Sequence, residues 1–110
     1  MKIVFYQTEN GRIPVKKDID NLEKVDKAEV FGILENIERN GFNSNRVEFR
    51  QIKGKLWEIK MRLSTTGYRI FYTSIDRDTI ILLHSYKKKT QKAPSNDLNV
   101  AFKRMNDVLE

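Results

Sequence analysis

The feature that most limits what this chain can fold into is Ile80-Ile81-Leu82-Leu83, running without a break into His84-Ser85-Tyr86-Lys87-Lys88-Lys89-Thr90-Gln91-Lys92. An extended segment that is apolar on both faces belongs inside a sheet covered on both sides. The lysines that follow cannot join that core, because each ammonium would lose its water without gaining a partner. The strand therefore leaves the interior near Tyr86 and carries clustered positive charge on a rigid support. Such a cluster is either a solvated strand end that discourages edge pairing or a site for a polyanion.

The balance of the chain favours the polyanion. With 110 residues it has room for one domain, spanning residues 1–110, and one core. The formal net charge is +6, which suits nucleic acid or an anionic membrane surface as partner. No apolar run approaches the ~20 residues of a membrane-spanning helix, and the start, Met1 to Tyr6, turns polar too soon for a secretory signal. A cytoplasmic protein is expected. With no cysteine and one histidine, thiolate sites are excluded and a zinc site would depend on carboxylates, so neither metal nor cofactor is expected.

Periodicity supplies the elements. Ile3 to Gln7 reads as a strand, and Asn10-Gly11 breaks it. Pro14 opens a short helix with Val15, Ile19 and Leu22 at helical spacing. Asp26 is the expected N-cap of a second helix to about Asn40, with Val30, Ile33, Leu34 and Ile37 as its stripe and Gly41 as its stop. The two helices are expected to pair as a hairpin over a sheet. From Val47 the period becomes two. A weak strand near Glu48 to Lys53 precedes Leu56 to Leu63, which puts Trp57, Ile59, Met61 and Leu63 on one face and Glu58, Lys60 and Arg62 on the other. Tyr68 to Ser74 sets Tyr68, Ile70 and Tyr72 opposite Arg69, Phe71 and Thr73. Thr79 to Tyr86 completes an antiparallel meander, with His84 and Tyr86 on the face of Ile80 and Leu82 by alternation. Ser95 is the expected N-cap of a closing helix with Leu98, Ala101, Phe102, Met105 and Leu109 as its apolar positions. The order β-α-α-β-β-β-β-α is an α+β fold.

The blocks Leu56-Trp57-Glu58-Ile59-Lys60, Tyr68-Arg69-Ile70-Phe71-Tyr72 and Lys87 to Pro94, within this order of elements, resemble the RelE/ParE toxin superfamily, most closely its phage-derived, HigB-like branch. The resemblance covers nearly the whole chain. It implies a twisted, mainly antiparallel sheet with an N-terminal helical hairpin and a C-terminal helix. It also implies the toxin of a type II toxin–antitoxin system. RelE- and HigB-type members enter the ribosomal A site and cleave mRNA without a metal, whereas ParE-type members poison DNA gyrase on a similar scaffold. The expected partners are the ribosome, mRNA and a cognate antitoxin with a helix-turn-helix domain, HigA-like.

Metal-free RNA cleavage needs a group to take the 2′-OH proton, a cation for the pentacoordinate phosphate, and a proton for the leaving 5′ oxygen. By the resemblance, Arg69 stabilises the transition state, Lys60 and Arg62 are basic groups of the preceding strand, and Lys88 supplies a phosphate-binding or acidic cation. If the first turn pairs the strands, Arg69 can lie near Arg62. Lys87 and Lys89 are alternatives to Lys88, and together with Lys92 they are candidate RNA contacts. Glu58 stands where some RelE-type members have lysine, so it is a candidate base, RNA contact or partner of Arg69. His84 is either a strand histidine packed under the last helix or a proton carrier. Tyr86 is a sheet aromatic, a base-stacking platform or a hydroxyl donor. Two readings compete with the nuclease: a gyrase inhibitor that binds through an apolar helical surface, and a non-catalytic basic nucleic-acid-binding domain.

Overall fold

The computed structural model describes residues 1–89 and 94–110. Strand β1 (Lys2–Phe5) is followed by α1 (Pro14–Asp20), α2 (Lys24–Asn40) and a single 3-10 turn at Gly41–Asn43. Four strands follow, β2 (Glu48–Lys53), β3 (Leu56–Arg62), β4 (Gly67–Asp76) and β5 (Thr79–Lys88), and α3 (Ser95–Leu109) closes the chain. The sheet order is β1-β5-β4-β3-β2; β1 runs parallel to β5 and every other pair is antiparallel.

The apolar run Ile80–Leu83 explains the layering. Ile80 and Leu82 are fully buried with Val15, Ile19, Val30, Ile33 and Ile37 of α1 and α2, and with Ile59, Ile70 and Tyr72 of the meander. Ile81 and Leu83 are buried on the opposite face with Leu56, Phe71 and, from α3, Ala101 and Met105. Each such side chain contributes about 1.5–3 kcal/mol by leaving water. Trp57, read as core, packs against the first of these clusters while staying partly exposed.

Several local expectations give way. The chain opens with a strand, as read from Ile3 to Gln7, and the expected N-terminal helical hairpin is not matched. The seven-residue α1 packs chiefly on β5, where Tyr68 donates to Ser85 (2.8 Å) and Ser85 to Asp18 (3.1 Å). Asp26 is not the N-cap of α2, which starts two residues earlier after Glu23. Its carboxylate is drawn instead to the backbone N–H of Thr65 (3.0 Å) and to the Thr65 hydroxyl, tying α2 to the β3–β4 turn. Ser95 is likewise not a cap: Pro94, extended at φ −60° and ψ 139°, occupies the N-cap position and Ser95 is the first helical residue. Leu109 is 37% exposed, and Val108 takes its place against the core.

The largest correction concerns β5. Phe71 pairs with His84 but Tyr72 pairs with Leu82, so Leu83 is an extra residue. A bulge of this kind resets the alternation. His84 and Tyr86 therefore lie on the α3 face with Phe71 and Arg69, not on the face of Ile80 and Leu82.

Candidate functional site

Cross-strand pairing decides which charges meet. Opposite residues of an antiparallel pair share a face. Lys60 pairs with Arg69 and Arg69 with Tyr86, while Arg62 pairs with Gly67 and Gly67 with Lys88. Arg69 thus sits across from Lys60, and Arg62, the neighbour expected for it, is one row away across from Gly67. All these side chains lie on the α3 face, beyond the apolar patch that α3 covers.

Lys60, Arg62, Arg69 and Lys88 line one open groove of about 570 Å³, with Glu48 and the segment Asn45–Val47 along its side. Gly67 keeps the groove open at its floor. A Cβ there would come within 3.1 Å of the Lys88 Cβ and 3.5 Å of an Arg69 guanidinium nitrogen.

Arg69 is held from several sides. Its Nη1 donates to the Tyr68 carbonyl at 3.1 Å and, more weakly, to that of Met61 at 3.4 Å. Its Nε lies 3.9 Å from Glu58 Oε1, and the Glu58 and Arg69 side chains are only 2% and 9% exposed. Tyr86 donates its hydroxyl to the other oxygen, Oε2, at 3.1 Å. Glu58 is therefore occupied below the groove floor, and the Arg69-pairing role is the one its geometry supports. Burial first, and then the negative charge of Glu58, push the Tyr86 phenol far above its usual range, so that group can donate but not act as base.

Lys88 is the titratable cation most altered by this setting. Partial desolvation first, and then the charges of Arg69, Arg50 and Lys60, hold its ammonium below the usual lysine range, with Glu58 acting in the other direction. Lys60 is half-buried, 3.8 Å from Glu48 Oε1. The other lysines diverge. Lys87 pairs with Tyr68 on the helical face and lines a separate cleft with Asp18 and Asn21. Lys89 is exposed beyond the strand end, and Lys92 lies outside the described residues.

His84 matches its packed reading. Its Nε2 is 2.5 Å from Asp97 Oδ1, its Nδ1 is 3.3 Å from Arg104 Nη1, and its ring stacks on Phe71 at 6.4 Å. Phe71 stacks in turn on Tyr86 at 5.5 Å. Sequence reasoning missed Arg50, which pairs with Glu58 across β2 and β3; the period of two in Glu48–Arg50 carried that signal. It also missed Asp97 and Arg104 on α3, for which no local pattern existed. Among the described residues, no helix is long and apolar enough to cross a membrane.

The chain matches the family described as Phage derived protein Gp49-like (DUF891) over residues 17–106. It belongs to that family. Gp49-like proteins are RelE-toxin-like and associated with toxin–antitoxin toxins, which implies a cognate antitoxin. The matched residues include the whole Gp49-like groove, from Asn45 to Lys88. No curated protein matches the chain.

Proposed function

We propose that this Gp49-like protein is the toxin of a type II toxin–antitoxin pair, of the HigB-like kind. It acts in the cytoplasm as a metal-independent endoribonuclease on mRNA in the ribosomal A site, and is restrained by a helix-turn-helix antitoxin. The observation that carries this reading is the convergence of Lys60, Arg62, Arg69 and Lys88, from three adjacent strands, on one groove above a single buried carboxylate. A diffuse binding surface has no need for a locked guanidinium or for a lysine of depressed pKa. A phosphoryl-transfer site has use for both.

In this reading the RNA phosphate lies in the groove against Arg69 and Arg62. The 2′ oxygen gives up its proton, assigned to the Lys60 amine, and attacks phosphorus. The bond from phosphorus to the 5′ oxygen breaks, and the Lys88 ammonium protonates that oxygen. The products are a 2′,3′-cyclic phosphate and a 5′-hydroxyl end. Glu58 and Tyr86 hold Arg69 at the correct height, and His84 fixes the strand to α3.

The test is to induce the chain in cells and map the 5′ ends of transcripts, while measuring gyrase cleavage complexes in parallel. New 5′-hydroxyl ends within translated reading frames support the nuclease. Accumulated gyrase complexes with intact transcripts would transfer the reading to gyrase inhibition. Neither effect, with RNA bound, would leave a binding module.

A further inference from the structure

On the opposite face of the sheet, α2 ends in the turn at Gly41–Asn43 beside the outermost strand, β2. An apolar groove of about 480 Å³ opens there, walled by Phe42, Val47, Phe49, Trp57 and Tyr72 with two serines at its margin. Phe42 meets Phe49 edge-on at 5.1 Å and Tyr72 at 6.2 Å, yet is 48% exposed. A half-exposed phenyl ring completing an aromatic wall is the composition of an interface anchor site.

The floor adds a second observation. Tyr72 is 2% exposed, and its hydroxyl makes no hydrogen bond among the described residues; burial alone pushes its pKa upward. Among those residues, no side-chain nitrogen or oxygen wholly shut off from solvent lacks a partner. Tyr72 lines the groove, and its hydroxyl is not among atoms shut off from solvent without a partner. A buried phenol normally finds an acceptor; none is present among the described residues, so water in the groove takes that place and a docked carbonyl could replace it.

We infer that this groove is the docking site of the antitoxin, taking an apolar or aromatic anchor residue of a peptide segment whose carbonyl accepts the Tyr72 hydroxyl proton. The inference rests on the toxin reading above for the identity of the partner. No side chain of the wall is charged, so RNA phosphates would find nothing to pair with there. A peptide does not need such pairs at the anchor. Acidic residues flanking the anchor suit the +6 chain as a whole. Bound here, the antitoxin leaves the basic groove uncovered and obstructs the ribosome by bulk.

The probe is the purified cognate antitoxin that the family implies, titrated calorimetrically into wild type, Phe42→Ala and Tyr72→Phe. Phe42→Ala trims an exposed ring and Tyr72→Phe removes one oxygen, so both should fold; circular dichroism checks this. The expected result is at least tenfold weaker binding for Phe42→Ala and a few-fold weaker binding for Tyr72→Phe, with RNA cleavage unchanged. Equal affinity for all three proteins overturns the inference. Loss of RNA binding by the two variants, with antitoxin binding intact, assigns the groove to RNA. A wild-type dimer that both variants dissolve, with antitoxin binding intact, assigns it to a second copy. Calorimetry needs no catalytic readout, so failure of the nuclease reading leaves this test intact. Absence of any wild-type binding removes the antitoxin as occupant.

Discussion

At the scale of single residues, the lysine run and the buried ion pair make different demands. Lys88 faces the groove, Lys87 faces the helical layer and Lys89 lies past the strand. Lys88→Gln is therefore expected to depress cleavage far more than ribosome binding, whereas Lys87→Gln and Lys89→Gln lower affinity modestly and leave single-turnover cleavage unchanged. Equal losses at all three positions would point to diffuse charge. The depressed pKa of Lys88 also sets a pH dependence. If Lys88 is the general acid it must be protonated, so the alkaline limb that it contributes should lie below the ordinary lysine pKa of 10.5. Arg50→Gln removes a cation that depresses Lys88, and should move that alkaline limb upward in a pH–rate profile. Arg69 requires a double variant. Arg69→Ala leaves the buried Glu58 carboxylate unpaired, a destabilisation of about 3–5 kcal/mol, so lost activity in the single variant is ambiguous. Adding Glu58→Gln removes the stranded charge. The double variant should regain most of the urea midpoint yet stay inactive, since one preorganised donor is worth about 2.7–4 kcal/mol of barrier. Recovery of cleavage in the double variant would remove Arg69 from the chemistry.

At the scale of elements, two side-chain links tie the sheet to its helices, His84 to Asp97 on α3 and Asp26 on α2 to Thr65, and the second can be titrated. Asp26 fastens α2 to the turn between Arg62 and Gly67, and the Thr65 hydroxyl, the largest contribution, holds its carboxyl below the usual value of 3.8. A carboxyl depressed in the folded state stabilises it above the unfolded pKa, and that stability is lost as pH falls through the folded pKa. Stability should therefore decline below about pH 3.8, and Asp26→Asn should weaken the acid decline in urea midpoints. An unchanged acid limb would mean that the turn is held by other contacts. These links also explain what the sequence made legible. Strict alternation in Leu56–Leu63 and Tyr68–Ser74 placed Glu58, Lys60, Arg62 and Arg69 on one face, because one-sided burial permits no slip of register. The bulge at Leu83 was not legible. Ile81, Leu82 and Leu83 are all apolar, so an extra residue there changes no hydrophobic pattern, and only the pairing with β4 reveals it. His84 and Tyr86 were therefore assigned to the wrong face. Asp26 looked like a cap for the same kind of reason: its actual partner is 39 residues away.

At the scale of the whole molecule, the sheet separates two surfaces of opposite character. The face shared with α3 carries the cationic groove, and the face shared with α2 carries the uncharged aromatic one. Strands side by side are only about 4.7–4.9 Å apart, so residues of β3 serve both grooves: Trp57 walls one while Lys60 lines the other. A partner seated on the aromatic side would be close to the cationic groove without entering it. This geometry distinguishes inhibition by coverage from inhibition by bulk. If the antitoxin seals the cationic groove, the complex should lose affinity for every RNA. If it sits on the aromatic groove, the complex should bind a short single-stranded RNA about as well as the free toxin does, with the same salt dependence, since each phosphate contact contributes about 0.7 to the logarithmic slope. If the protein acts in the ribosomal A site as proposed, ribosome binding should still be abolished by the added volume. Fluorescence anisotropy of a labelled RNA, followed by ribosome pelleting with the same complex, separates the two cases. A complex that binds neither RNA nor ribosome would mean that the antitoxin reaches around the sheet edge to cover Lys60 and Lys88.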